Sequence, residues 1–246
     1  MPSFWMAVAL AAGGFVCGVL NALAGGGSFV TLPLLLLVGL PPQVANATNR
    51  IAIVLQCVAG VWTYHRHNVR PWKDVPSLAV PLVLGAVPGA YLATVLDEEI
   101  FRKVVAVLIG AMAMTVFVDP KRWEGKSEGG RVPLRLYPLL FALGFYGGFL
   151  QAGIGVLLLG TFVLAGGYDA VRGNAVKFAL AGIFTIAALL LFAGAGQVQW
   201  APGLVVAAGT ILGGIVGARL VIAKGARWVR VFVVLAAVAA IAKLLS

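Results

Sequence analysis

Two cations lie where an apolar segment ordinarily carries none. Arg50 closes the run Asn46-Ala-Thr48-Asn49-Arg50, and Lys177 closes Asn174-Ala-Val-Lys177; each run opens a long apolar stretch, 43–63 and 171–192. A charge a turn or two inside such a stretch is expensive in lipid, so it marks a functional site for an opposite charge by default. The bland alternative is a long side chain snorkelling to the interface. The runs are equivalent, with Asn46 matching Asn174 and Asn49 matching Lys177 at a separation of 128.

Glycine-rich breaks supply a second chemistry. Asn21-Ala-Leu-Ala-Gly25-Gly26-Gly27-Ser28 and Gln151-Ala-Gly153-Ile-Gly155 each precede a short apolar piece, 28–39 and 156–166. A helix beginning there exposes backbone N–H groups and the positive end of its dipole, a cradle for an anion. Asn21 and Gln151 are equivalent and add side-chain donors. The candidate substrate-binding set is therefore Asn21, Gly25, Gly26, Gly27, Ser28, Thr48, Asn49, Arg50, Gln151, Asn174 and Lys177.

What is missing narrows the chemistry. Asp97, Glu98, Glu99 and Asp169 lie at segment ends, and no carboxylate lies inside an apolar stretch. A metal-cation carrier needs carboxylate, imidazole or thiolate ligands, and a proton-driven one usually carries a membrane carboxylate. His65 and His67 share one basic loop, so Ser28 has no base within an apolar segment and an intramembrane serine hydrolase is not expected. Cys17 and Cys57 lie inside apolar segments and read as packing residues, with no disulfide framework, metal site or cofactor implied.

The elements that must position these residues occur twice. Gly39, Trp72, Gly85, Gly89, Arg102 and Ala111 meet Gly167, Trp200, Gly213, Gly217, Arg230 and Ala239 at an offset of 128. Upstream, Gly14, Phe15, Gly18, Ala22 and Gly25 meet Gly144, Phe145, Gly148, Ala152 and Gly155 at an offset of 130. The 246-residue chain is 61% hydrophobic and 11% charged, against about 25% charged in a soluble domain. It reads as an all-α, multi-pass membrane protein with 1–118 and 137–246 as the two repeats and 119–136 as a polar linker.

Each repeat holds about five segments, or eight to ten spans in all depending on how the short pieces count. Those pieces are too short to cross a ~30 Å hydrocarbon core and suit broken or re-entrant helices packed inside protein. Gly14/Gly18, Gly85/Gly89, Gly144/Gly148 and Gly213/Gly217 are G-x-x-x-G pairs, suited to close packing within a protomer or between two copies as a homodimer.

Loop charge sets the orientation. The loop with His65, Arg66, His67, Arg70 and Lys73 is basic, and the following one starts Asp97-Glu98-Glu99. In the second repeat 193–202 is uncharged, whereas Arg219, Lys224, Arg227 and Arg230 follow. Equivalent loops thus face opposite sides, which makes the repeats inverted, the linker and basic loops cytoplasmic and both termini outward. The net charge of +10 is accounted for by these anchors, and nucleic acid is not an expected partner.

The string GVLNALAGGGSFVTLPLLLLVGLPPQVANATNRIA, echoed by GFLQAGIGVLLLGTFVLAGGYDAVRGNAVKFA, resembles the sulfite exporter (TauE/SafE) family of membrane anion transporters. The resemblance covers almost the whole chain. It implies export of sulfite or a small organosulfonate across the bacterial inner membrane, with Gly25, Gly26, Gly27, Pro33, Thr48 and Asn49 in the transport core. The second repeat departs from the motif, with Val156-Leu157 for the glycines, Val163 for the proline and Val176-Lys177 for Thr-Asn. The alternatives are an uptake carrier for another small inorganic or organic anion, and a structural subunit that moves no anion.

Overall fold

The computed structural model of the protein describes residues 4–23, 25–104 and 132–225. These residues form helices: α1 (Phe4–Leu23), α2 (Ser28–Leu37), α3 (Pro42–Arg66), α4 (Val75–Val95), α5 (Tyr137–Phe149), α6 (Ile154–Gly160), α7 (Ala170–Gly194) and α8 (Trp200–Lys224). Five stretches, Phe4–Leu23, Pro42–Arg66, Trp72–Val95, Ala170–Gly194 and Trp200–Lys224, are long and apolar enough to cross a membrane. The chain is a multi-pass membrane protein. Of the expected fifth segments, 101–104 are helical, and 105–118 and 228–245 lie outside the described residues, as does 119–131 of the linker.

Local chemistry accounts for the boundaries. Pro41 stands at the N-cap of α3 and Pro42 at its first position, where a missing N–H costs nothing. The Asp169 carboxylate caps α7 by accepting from the N–H groups of Val171 and Arg172. Past α2, Gly39 takes a φ of +90°, a turn that residues with a Cβ rarely adopt. The short piece after the second glycine break is irregular: α6 passes into a π-helical turn over Thr161–Ala165. The Thr161 hydroxyl donates back to the Leu157 carbonyl where that turn begins.

Close helix pairs are made by glycine, and each joins the two sides of the linker. A Cβ on Gly14 would sit 2.4 Å from the Val206 carbonyl oxygen, and one on Gly217 would sit 2.6 Å from Ala22 Cβ, so α1 and α8 run side by side in the same direction. Gly144 lies against Leu82 and Gly148 against Ala86, which aligns α5 with α4 in the same way. The G-x-x-x-G pairs therefore close contacts within this one chain. The long helices meet differently: Gly60 faces Phe178 and Gly182 faces Cys57, so α3 and α7 run in opposite directions.

Two faces result. On one, the Tyr168 hydroxyl donates to Asp74 Oδ2 at 2.6 Å, joining the α6–α7 connection to the start of α4. Burial, then the Asp74 carboxylate, raises the Tyr168 phenol above its ordinary pKa. This face collects the ends bearing Arg66, Arg70, Lys73, Arg135, Arg172, Arg219 and Lys224. On the other, Gln43 donates to the Leu96 carbonyl and Gln197 to the Thr94 carbonyl, beside Asp97, Glu98 and Glu99. One apolar cluster lies towards each face: one contains Tyr64, Leu78, Phe162 and Phe178, the other Leu35, Ile51, Phe149 and Phe192.

Candidate functional site

Between those clusters α1 and α5 both stop at their glycine-rich breaks, inside the helix assembly: Ala22, Leu23, Phe149 and Leu150 are buried. A helix end leaves its last carbonyls without intrahelical partners, which is costly away from water. Side chains from α3 and α7, far away in sequence, satisfy them. Asn46 Nδ2 donates to the Phe149 carbonyl at 2.9 Å, and Arg50 donates to the carbonyls of Gly147 (3.1 Å) and Gly148, all in the last turn of α5. Asn174 Nδ2 donates to the Ala22 carbonyl and Lys177 Nζ to the Asn21 carbonyl at 2.8 Å, in the last turn of α1. Each cation also meets the negative end of a helix dipole, which favours it there.

The two breaks touch. Gly25, with φ +84°, lies so close to Gly155 that a Cβ on it would be 2.2 Å from the Gly155 carbonyl carbon. Gly27 is packed against the Cys17 carbonyl in the same way, whereas Gly26 has room beside Phe29. Next to this crossing lies a cavity of about 10 Å³, bordered by Asn21, Ser28, Cys57, Gln151, Lys177 and Phe178. It has room for about one water molecule.

The polar residues around the cavity form three chains. Asn21 Nδ2 donates to Gln56 Oε1 at 3.0 Å, and Gln56 Nε2 donates to the Gly18 carbonyl. Gln151 Oε1 accepts from Arg50 at 2.7 Å while its Nε2 donates to the Thr185 hydroxyl at 2.8 Å. Gln151 holds this place with a φ of +68°, a conformation uncommon outside glycine. Thr31 donates to Asn49 Oδ1 at 2.7 Å, and Asn49 Nδ2 donates to the Ser28 oxygen at 3.2 Å. The Ser28 hydroxyl proton is left for another acceptor.

The predicted residues thus separate by position. Asn21, Ser28, Gln151 and Lys177 border the cavity. Asn49 holds Ser28, and Gly25 and Gly27 permit the close approach. Asn174 and Arg50 fasten helix ends; the two terminal nitrogens of Arg50 donate to carbonyls and Gln151, its buried Nε has no hydrogen-bond partner among the described residues, and the Phe192 ring lies 4.7 Å from its guanidinium. Thr48 turns elsewhere, accepting from the Gln199 N–H at 3.0 Å. Gln56, Thr185 and Thr31 were not foreseen; all are buried polar groups in apolar helices, a signal quieter than a charge.

The two cations differ in what remains to them. Lys177, 2% exposed, has one carbonyl partner and the Phe178 ring 4.9 Å away, with further ammonium donors beside the cavity. Neither cation has a carboxylate partner among the described residues.

The profile of the sulfite exporter TauE/SafE family matches residues 10–244. The chain belongs to that family. A probable membrane transporter protein of Haemophilus influenzae is 31% identical over 90% of this chain and 88% of its own length. Probable membrane transporter protein YfcA of Escherichia coli is 30% identical over 94% of this chain and 86% of its own, and a Sinorhizobium relative, ORF9, is 29% identical over 94% and 89%. No solved structure matches. As a TauE/SafE protein the chain is a membrane transporter, and its family profile takes in both breaks and both cations.

Proposed function

We propose that this transporter exports a small sulfur-containing anion, sulfite or an organosulfonate, from the cytoplasm through the crossing of its two glycine breaks. The observation that carries the reading is the buried Lys177 ammonium, without a carboxylate partner among the described residues, beside a small cavity that Asn21, Ser28 and Gln151 also border. The substrate's oxygens take Lys177 Nζ, the Ser28 hydroxyl, the amides of Asn21 and Gln151 and the N–H groups opening α2; Asn49, Arg50, Asn174 and the glycines hold that set in place. Thr48, by its bond to Gln199, supports the neighbouring connection.

The repeats 1–118 and 137–246 act as two inverted halves in the inner membrane, with the basic face cytoplasmic. A cavity of about 10 Å³ is smaller than a sulfur oxyanion, so this is a closed form and the anion enters when the halves part. Lys177 then exchanges the Asn21 carbonyl for the anion. That exchange frees the end of α1, which couples occupancy to helix movement.

Efflux of radiolabelled sulfite from proteoliposomes tests this. A charge-assisted contact is worth about 1.5–3 kcal/mol, so Lys177→Gln should weaken the anion roughly ten- to a hundredfold. Unchanged efflux from Lys177→Gln, or no flux of any small sulfur oxyanion in the parent protein, would sink the proposal. Uptake instead of efflux under an inside-negative potential would favour a carrier for a different anion.

A further inference from the structure

A second cavity, of about 350 Å³, opens at the basic face where the ends of α3 and α8 lie together. Its lining is Trp62, Thr63, Arg66, His67 and Arg219. The volume is at the lower end of small-ligand sites, roughly 300–1,000 Å³. Arg66 and Arg219 are exposed, no acidic residue lines the cavity among the described residues, and the Arg66 guanidinium lies 5.1 Å from the Trp62 ring.

The surface leading into it is apolar. On α3, Val58 and Trp62 are 60% and 48% exposed, and Arg66 follows at the same four-residue spacing. On α8, Leu212 and Val216 are 60% and 40% exposed, and Arg219 comes next along that side. The lining thus joins, at one level, a half-exposed tryptophan, two guanidiniums and an imidazole, with an aliphatic strip below. Indole at the interface, cations at headgroup depth and aliphatic surface beneath are the pattern that lipid solvation favours.

We propose that this cavity binds the phosphodiester headgroup of an anionic phospholipid from the cytoplasmic leaflet, with the acyl chains along Val58, Trp62, Leu212 and Val216. Guanidiniums from two helices hold the phosphate oxygens and His67 lies beside them. Because α8 also packs on α1, whose end Lys177 holds, the bound lipid braces α3 against α8 beside the transport site. The proposal shares with the transport reading only the choice of cytoplasmic face, so it stands or falls without knowledge of the substrate.

The test uses the full chain, purified in detergent, with lipid vesicles and soluble probes. Phosphatidylglycerol should raise the melting temperature above phosphatidylcholine of the same chain length, and the gain should shrink with added salt. Brominated phosphatidylglycerol should quench protein tryptophan fluorescence more than brominated phosphatidylcholine does, and Trp62→Phe should remove that excess. Arg66→Gln and Arg219→Gln should each weaken phosphatidylglycerol binding about fivefold. These side chains are exposed, so the variants should fold, and an unaltered melting point in phosphatidylcholine checks that directly. Equal effects of the two lipids, or arginine variants that bind phosphatidylglycerol like the parent, overturn the proposal. Inorganic phosphate or glycerol phosphate matching the intact lipid also overturns it, in favour of a soluble anion site. Concentration-dependent dimerisation that abolishes the quenching would overturn it in favour of a second copy covering this face.

Discussion

Lys177, on α7, donates to the main-chain oxygen of Asn21 at 2.8 Å and so secures the last turn of α1, far away in sequence. Arg50 does the equivalent for α5, but with both terminal nitrogens engaged and Gln151 added. The same task is performed once by a pliable ammonium at a cavity and once by a planar fork enclosed in protein. The Lys177 ammonium keeps donors beside the cavity, whereas the terminal nitrogens of Arg50 are taken and only its enclosed Nε is left over.

The two cations should therefore separate in experiment. Lys177→Gln should cost less stability than Arg50→Gln, one carbonyl against two, while abolishing the melting shift produced by sulfite. Arg50→Gln should lower stability itself, because the Gly147 and Gly148 carbonyls lose buried donors at about 1–3 kcal/mol for each unsatisfied group. Arg50→Lys should not restore it, since one ammonium cannot reproduce the fork. Differential scanning fluorimetry with and without sulfite distinguishes these outcomes; identical profiles for Lys177→Gln and Arg50→Gln would refute the division of roles.

Glycine substitutions should rank by contact rather than by motif. Gly25→Ala drives a methyl to within 2.2 Å of the Gly155 backbone at φ +84°, and should abolish a folded, monodisperse protein. Gly26→Ala meets only Phe29, at 3.5 Å, and should be nearly silent. Gly39→Ala has open space but φ +90°, so it should cost only the conformational penalty, about 1–2 kcal/mol. Size-exclusion profiles and melting points of the three variants check the order, and a silent Gly25→Ala would contradict the crossing of the breaks.

Orientation is open to labelling. Cys17 and Cys57 are buried, so a membrane-impermeant thiol reagent should react little with the parent protein in intact cells. Glu98→Cys should react from the periplasmic side, and His67→Cys only after the cells are permeabilised. The reverse pattern would place the basic face outside and reject export from that face.

Energetics follow from the absence of a carboxylate inside the apolar segments. An inside-negative potential drives an anion outwards by about 2.3 kcal/mol per charge per 100 mV, enough for roughly a 50-fold gradient. In proteoliposomes, sulfite flux should reverse with a potassium/valinomycin potential and persist without a proton or sodium gradient. Flux that requires a proton gradient at clamped potential would point to a protonated substrate or to coupling through Asp169 or Asp97–Glu99.

Much was legible in the residues themselves. Membrane character, the positions of the long helices, the glycine breaks and the two out-of-place cations follow from composition and local chemistry: an apolar run of spanning length, a missing side chain and a charge in lipid each have a cost that one position reveals. The helix ends moved only slightly, α3 to Pro42–Arg66 and α7 to Ala170–Gly194, because proline and the Asp169 cap act locally. Partner choice was a matter for the tertiary structure. Whether a glycine pair meets another helix of its own chain, whether Arg50 faces a cavity or a carbonyl, and that Gln56 and Thr185 hold the amides of Asn21 and Gln151 depend on atoms far apart in sequence. A cation in lipid announces that something must accept from it; only the packed chain decides that, here, the acceptors are the ends of two broken helices.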